Sequence, residues 1–381
     1  MIEDSQKPML RFLSVLTAAS MIGMQGYMIL FNNFAVEAVG LEGRHIGIIQ
    51  SFRELPGFLS LLAVFVMLFI KEHRLSALSI SLLGIGVGLT GTLSTYGGVI
   101  FTTLIMSFGF HYYETTNQSL TLQYFSIGIS PIILGRLRSL AAAFSIISAC
   151  LIWVLGGFLD YRGIYLTIGS LVFLAGCWAF FQDPTHQSVP VQRHRMIMRK
   201  RYWLFYLLTF LSGARRQIFM VFSMFLLVKI FHVSVREVTC LFLINNTINW
   251  LMNPLIGRAI IAFGERTLCT IEYTGVILIF LTYTLSTSKE LVAGLYILDS
   301  LLFSFSVSIR TYFHKIADPT DIAPSTAVGF TINHIAAVFL PALGGYLWMI
   351  DFRIPFYMGA GLGVVSLIMA QWIRLPEKAR G

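Results

Sequence analysis

Long apolar stretches separated by short polar breaks run along the whole chain. A helix needs roughly 20 residues to cross about 30 Å of hydrocarbon, and stretches of that length recur from one terminus to the other. The pattern predicts membrane-spanning segments near residues 11–34, 46–70, 75–94, 98–119, 136–158, 163–181, 202–230, 237–262, 268–286, 290–313, 324–349 and 354–374. Because lipid offers backbone groups no hydrogen-bond partner, these segments are expected to be helices. We therefore predict an all-α membrane protein of about twelve transmembrane helices.

The predicted spans fall into two groups of six. Residues 1–181 are expected to form an N-terminal six-helix bundle, residues 182–201 a basic linker, and residues 202–381 a C-terminal six-helix bundle. A single offset of 188 residues maps Tyr124-Phe125 onto Tyr312-Phe313 and a Leu-Gly-Gly motif at 155–157 onto the same motif at 343–345. This common offset favours an internal repeat, with the two bundles related by pseudo-symmetry.

Composition and charge agree with a membrane protein. Of the 381 residues, 56% are hydrophobic and 12% are charged, and the mean hydropathy is +0.76. The net charge of +9 would suggest nucleic acid as a partner in a soluble chain, but its distribution along the loops explains it better. Placing the linker in the cytoplasm puts 18 Lys and Arg residues on that side and six on the other. The positive-inside rule then predicts a multi-pass protein of the cell membrane, a prokaryotic inner membrane, with both termini in the cytoplasm and no nucleic-acid partner.

The sequence predicts neither a metal site nor a cofactor. The four cysteines, Cys150, Cys177, Cys240 and Cys269, lie in or beside apolar segments and lack metal-ligand spacing. They are expected to be buried, inert thiols.

The organisation of the chain resembles the major facilitator superfamily. The resemblance rests on six plus six spans, a basic central loop and a partial loop signature, Gly257-Arg258 followed by Gly264-Glu265-Arg266, in which the acidic position of the family falls on Ile261. It implies that spans one, four, seven and ten line a central cavity, and that Arg258 and Arg266 belong to a gating network of ion pairs. The chain lacks the span-five motif of the drug antiporters, so drug efflux is not carried over.

Paired glycines occur in two predicted spans. Gly156-Gly157 lies in span five, and Gly344-Gly345 follows Pro341 in span eleven. Glycine pairs allow two helices to approach closely, and this structural role is the one we expect.

Span four carries the most informative polar pattern. His111, Glu114 and Gln118 recur at i, i+3 and i+7, so that they share one helix face beside Tyr112 and Asn117. Such a stripe is expected to face water or substrate. A histidine beside a carboxylate is suited to accept and release protons, although a fixed contact between helices explains the pattern as well.

Spans seven and ten carry further charges in their middles. Arg215 and Arg216 cannot lose their protons and need anions, carbonyls or water as partners. The planar guanidinium also suits carboxylates and phosphates, so both are candidates to bind substrate or an internal carboxylate that the substrate displaces. We expect one to contact substrate and the other to support the fold, because adjacent residues on a helix point about 100° apart. Asp299 in span ten matches His111 under the 188-residue offset and is a candidate proton-coupling residue.

The remaining candidates are dispersed. Arg53 and Glu54 in span two, which need not pair with each other, and Arg310 in span ten are assigned to ion pairs at the gates, with Glu54 also a proton-coupling candidate. His334 in span eleven is assigned to substrate, and the amides Asn246, Asn249 and Asn253 of span eight are more typical of contacts between helices.

These patterns favour secondary active transport of a small solute by alternating access. The chain has no P-loop and no soluble nucleotide-binding domain, so an ion gradient is expected to supply the energy. The expected gradient is one of protons. An anionic or zwitterionic solute is the first expectation, with function as a monomer and no enzymatic activity. The alternatives are a membrane-embedded enzyme using His111 and Glu114, and a membrane receptor or structural partner that transports nothing.

Overall fold

The protein is described from a computed structural model that covers residues 4–59, 66, 69–125, 130–185, 198–318 and 321–374. Within these residues the α-helices are α1 (Lys7–Asn33), α2 (Gly43–Phe58), α3 (Glu72–Thr90), α4 (Tyr96–Tyr124), α5 (Ser130–Leu155), α6 (Tyr161–Phe180), α7 (Trp203–Ile218), α8 (Met224–Lys229), α9 (Val235–Phe263), α10 (Glu265–Leu285), α11 (Lys289–Phe303), α12 (Val307–Ile316), α13 (Ile322–Ile350) and α14 (Ile354–Ala370). Helices α7 and α8 continue each other, as do α11 and α12, so the fourteen described segments make twelve continuous rods. The prediction of an all-α protein of about twelve helices is confirmed.

Eight of the described rods are long and apolar enough to cross a membrane, and the shorter helix Ile354–Ala370 is also apolar. The three described helices outside this group, α2, α4 and α9, carry many of the polar side chains that the sequence pattern singles out. The chain is a multi-pass membrane protein.

Two rods contain π-helical turns. Residues Phe34–Ala38 extend α1 as a π-helix, and residues Phe219–Ser223 join α7 to α8 in the same conformation. π-Helical turns are rare overall, and those that occur often lie at functional sites. Here they occur in the first and seventh rods.

The chain divides into two compact units. Unit 1 comprises Met1–Leu41, Phe52–Gln192 and Ser234–Leu243, and unit 2 comprises Glu42–Ser51, Arg193–Val233 and Ile244–Gly381. Each unit therefore includes a short segment from the other half of the sequence. Residues 186–197 of the predicted linker lie outside the described residues, and the boundaries 1–181, 182–201 and 202–381 remain a prediction.

Close packing through glycine fixes the position of α3 in unit 1. Helix α3 lies between α4 and α6. A Cβ atom on Gly84 would collide with the backbone nitrogen of Phe173, and one on Gly169 would collide with the backbone of Gly88. Small residues let helix backbones approach in a membrane, where no hydrophobic effect drives them together.

In unit 2, α10 packs against α14, while α7 packs against α13 and α14. The start of α2 belongs to this unit and lies on α13, where Gly47 and Gly345 leave no room for side chains between the backbones. The Ser51 hydroxyl accepts a hydrogen bond of 2.9 Å from the amide of Ala342. The close approach predicted for the second glycine pair is thus observed. Gly156 and Gly157 instead follow the last residue of α5, so they end a helix.

The 188-residue offset is wrong for the helices. The first residues of α2 to α6 are displaced by 192 or 193 residues from those of their counterparts α9, α10, α11, α13 and α14. The Leu-Gly-Gly motif consequently ends helix α5 but lies inside α13. Asp299 is not the counterpart of His111, because the pairing rested on the wrong register.

Candidate functional site

The polar stripe of α4 faces two different environments in unit 1. The side chain of His111 is 8% exposed and that of Glu114 is 56% exposed, with His111 Nδ1 3.9 Å from Glu114 Oε2. Tyr112 and Asn117 are half-buried, and Gln118 is exposed. The three residues of the predicted stripe therefore include a buried imidazole and two accessible polar groups.

Helix α2 supplies a second carboxylate beside the imidazole. A carboxylate oxygen of Glu54 lies within 4.8 Å of a ring nitrogen of His111. Glu54 Oε1 is also 2.6 Å from Arg53 Nη2, and both side chains are buried. These neighbours, which need not pair on a helix, do pair here, because their long side chains bridge the angle between successive helix positions. The Ser107 hydroxyl of α4 donates to the carbonyl of Arg53 and ties the two helices together.

Both carboxylates therefore lie near the imidazole of His111, and Glu54 is in addition paired with Arg53. Nearby carboxylates stabilise the protonated form of an imidazole, whereas burial and a neighbouring arginine oppose it. The arrangement is chemically suited to bind and release a proton.

Unit 2 contains a separate charged cluster. Arg215 of α7 forms an ion pair with Glu272 of α10, whose side chains are 1% and 0% exposed. The guanidinium carbon lies 5.5 Å from the ring centre of Tyr273 and 5.6 Å from that of Phe303. Asp299 of α11 is 1% exposed and interacts electrostatically with both Arg215 and Glu272.

Glu272 was missed by the sequence analysis. It is the single acid of the predicted span 268–286, and no periodic pattern of polar residues marks it. The signal that was available is the cost of an unpaired charge in a membrane, which makes a carboxylate in one span a candidate partner for an arginine in another.

Arg216 has a different environment from Arg215. It is half-buried and donates a hydrogen bond of 3.0 Å from Nη2 to Asn333 Oδ1 on α13. The adjacent arginines thus differ in burial and in partner.

The other predicted residues are spread over the two units. His334 is buried in α13, and Arg310 is exposed on α12. Arg266 donates 3.1 and 2.9 Å hydrogen bonds to Gln371 Oε1, so its observed partner is an amide. The backbone of Arg258 lies in α9, but its side chain is outside the described part of the structure.

Asn249 acts as predicted for a contact between helices. Its side-chain amide donates to the hydroxyl of Ser300 at 3.1 Å and accepts from the hydroxyl of Ser304 at 3.2 Å. These bonds connect α9 to α11 and the turn that follows it. The side chain of Asn253 is outside the described residues.

A further ionic cluster, not predicted from the sequence, lies where residues 199–202 meet the start of α13. Asp321 Oδ2 is 2.7 Å from Arg199 Nε and 2.7 Å from Arg201 Nη2, and it accepts a 2.9 Å hydrogen bond from the Tyr202 hydroxyl. Burial of the carboxyl opposes ionisation, but these hydrogen bonds dominate and lower the pKa of Asp321 below its usual value. The cluster holds the start of the seventh rod against α13.

No protein-family model and no curated protein matches the sequence. Solved structures do match over nearly the whole chain. The nucleoside transporter NupG, as a D323A mutant, shares 14% identity with a TM-score of 0.79 over 96% of this chain and 99% of its own. The unmutated NupG shares 15% identity with a TM-score of 0.76 over 96% and 98%.

A bacterial homologue of the human lysosomal transporter Spinster, in an inward-facing and occupied conformation, shares 12% identity with a TM-score of 0.75 over 100% of this chain and 99% of its own. These structures are transporters rather than enzymes. Because the likeness covers both halves of the chain, the protein has the fold of these transporters, as its resemblance to the major facilitator superfamily predicted.

Proposed function

We propose that the protein is a secondary active transporter that moves a small solute by alternating access and couples this movement to a proton gradient. The observation that supports coupling is that His111 lies close to both Glu54 and Glu114 in a protein with a transporter fold. Ionisable groups are costly in a membrane and are retained where they carry charge, substrate or protons. Glu54, His111, Glu114 and Asp299 are the proposed proton-coupling residues.

The proposed solute contacts are polar side chains that are half-buried or exposed: Arg216, Tyr112, Asn117 and Gln118. We add His334, which is buried, as a hydrogen-bonding group. Arg216 offers a guanidinium suited to a carboxylate or phosphate, which supports an anionic or zwitterionic solute. Arg215 is reassigned from solute binding to an internal ion pair, because its guanidinium is already paired with Glu272.

The solute class can be approached through the fold relatives. NupG is a nucleoside transporter, so nucleosides belong in the first set of compounds tested here, together with amino acids, carboxylates and sugar phosphates. Ligand binding raises apparent thermal stability as the ratio of ligand concentration to Kd increases. A stability screen of the purified protein against these compounds identifies candidates without assuming a direction of transport.

Counterflow in liposomes tests the function directly. A compound from the screen is loaded inside, and uptake of its labelled form is measured with and without an imposed pH gradient. A transporter exchanges unmodified solute, and the proposed coupling predicts accumulation that depends on the gradient. Chemical conversion of the solute without exchange would instead favour the membrane-embedded enzyme.

Orientation is part of the proposal. The distribution of Lys and Arg supports a cell-membrane protein with residues 182–201 and both termini in the cytoplasm. A separate part of the proposal is that the protein functions as a monomer.

A further inference from the structure

The three charges buried in the core of unit 2 do not balance. Arg215 carries one permanent positive charge, whereas Glu272 and Asp299 together carry two negative charges when both are ionised. All three residues are at most 1% exposed. They come from three different rods, α7, α10 and α11, each long and apolar enough to span the membrane.

Hydrogen bonding in the cluster is incomplete on both sides. Arg215 donates to one oxygen of Glu272, whereas Glu272 Oε2, Asp299 Oδ2, Arg215 Nε and the hydroxyls of Tyr273 and Tyr283 have no hydrogen-bond partner among the described residues. The charge imbalance therefore carries the argument: a buried carboxylate without a matching cation is costly, and a proton on one of the two acids removes the excess negative charge.

Neighbouring titratable groups do not supply another positive charge. Those that interact with the cluster are the hydroxyls and thiol of Cys269, Tyr273, Tyr283 and Tyr296 on α10 and α11. The nearest acid along α10, Glu265, has its own cation, with Lys315 Nζ 2.7 Å from its Oε1. Arg216 is bonded to Asn333. Among the described residues, Arg215 is the cation that interacts with both Glu272 and Asp299.

We infer that Glu272 and Asp299 share one exchangeable proton, held in place by Arg215 as a permanent counter-ion. This inference rests on the proposed proton coupling and adds to it a second proton site, in the C-terminal half, that includes Glu272. It also gives Arg215 a role as a positioning residue rather than a solute ligand.

Charge arithmetic gives each variant a distinct signature. Glu272→Gln and Asp299→Asn each leave one acid opposite Arg215, so neither variant should need a proton. Arg215→Gln leaves two acids without a cation and should bind two protons. If that variant fails to fold, the double variant Arg215→Gln with Glu272→Gln leaves Asp299 alone and should again bind one.

Infrared spectroscopy of the purified full-length protein tests this by the carbonyl band of protonated carboxyl groups, followed from about pH 5 to about pH 9. The parent should show one carboxyl equivalent that titrates in this range and is absent from the Glu272→Gln and Asp299→Asn variants. Glu265→Gln is the matched control, because its acid is already paired one to one, and it should titrate as the parent does.

Three results would overturn the inference. A band that stays constant across the pH range would mean a fixed proton. A band that persists in both single variants would belong to another carboxyl group. A band that sodium chloride removes at constant pH, and choline chloride does not, would mean a sodium site. Solute counterflow is measured on the same preparation. Counterflow without the titrating band refutes this site but leaves the proposed function intact, whereas the band without gradient-dependent transport refutes the coupling and not the site.

Discussion

At the scale of single residues, the adjacent arginines show how a rotation of about 100° between neighbouring helix positions gives two different environments. Arg215 is fully buried against an acid and two aromatic rings, while Arg216 is half-buried and bonded to an amide. The sequence predicted that the two would differ but could not say which was which, because the rotation of a helix is set by its neighbours.

We expect Arg215→Lys to lower the free energy of unfolding by about 1–3 kcal/mol, because lysine loses the planar contact with Tyr273 and Phe303. Arg216→Lys is the matched control on the same helix and should change stability by about 0.5 kcal/mol or less while weakening solute binding. Thermal unfolding and the ligand-induced shift in Tm measure both effects. Equal destabilisation by the two variants would contradict the division of roles.

Glu114→Gln should abolish accumulation driven by a pH gradient while sparing exchange at equal pH. The amide cannot take part in the protonation of His111, which lies 3.9 Å away, but it keeps the size and hydrogen-bonding capacity of the side chain. Uptake into liposomes with and without the gradient is the measurement. Glu290→Gln, an exposed acid at the start of α11, serves as control, and unchanged driven uptake in Glu114→Gln at every pH would show that Glu114 is structural.

At the scale of helices, close contact between backbones depends on individual glycines. Gly84 and Gly169 hold α3 against α6 with no space for a Cβ atom. Backbone atoms cannot move aside as a flexible side chain can, so an added methyl group must separate the helices.

Gly84→Ala is therefore expected to destabilise unit 1 by about 1–3 kcal/mol. Gly294→Ala is the matched control, because a Cβ atom at this position in α11 meets nothing within 4 Å and alanine favours a helix by up to about 1 kcal/mol. The two variants are compared by thermal unfolding in detergent. A Tm for Gly84→Ala at or above that of the parent would disprove the tight crossing.

The helices themselves could be predicted from the sequence, but their register and rotation could not. Length and apolarity are properties of each segment alone, which is why the twelve rods were expected. The 188-residue offset was wrong because the glycine motif recurs by coincidence at unlike positions in α5 and α13. Glu272 was missed for a related reason: only packing shows that it points at Arg215, whereas the stripe of His111, Glu114 and Gln118 was visible because its members lie on one helix.

At the scale of the whole molecule, the charge distribution predicts orientation. The basic segment 182–201 should be cytoplasmic, since Lys and Arg are retained on that side during insertion. A cysteine introduced at Ser188 should therefore resist an impermeant thiol reagent in intact cells and react after the membrane is permeabilised. Efficient labelling of intact cells would reverse the proposed topology.

Trp348 gives the protein a built-in optical label. Its ring lies 4.8 Å from that of Phe225 and 5.8 Å from that of Phe222, and it fills the space beside Gly43 at the start of α2. Trp153, Trp203 and Trp372 are by contrast 46% to 55% exposed, so their fluorescence already reflects their surroundings. Movement of the first turns of α2 away from α13 would bring water to the Trp348 indole and shift its emission to longer wavelength, so that this contact can be followed by fluorescence in a variant that keeps Trp348 and replaces the five other tryptophans.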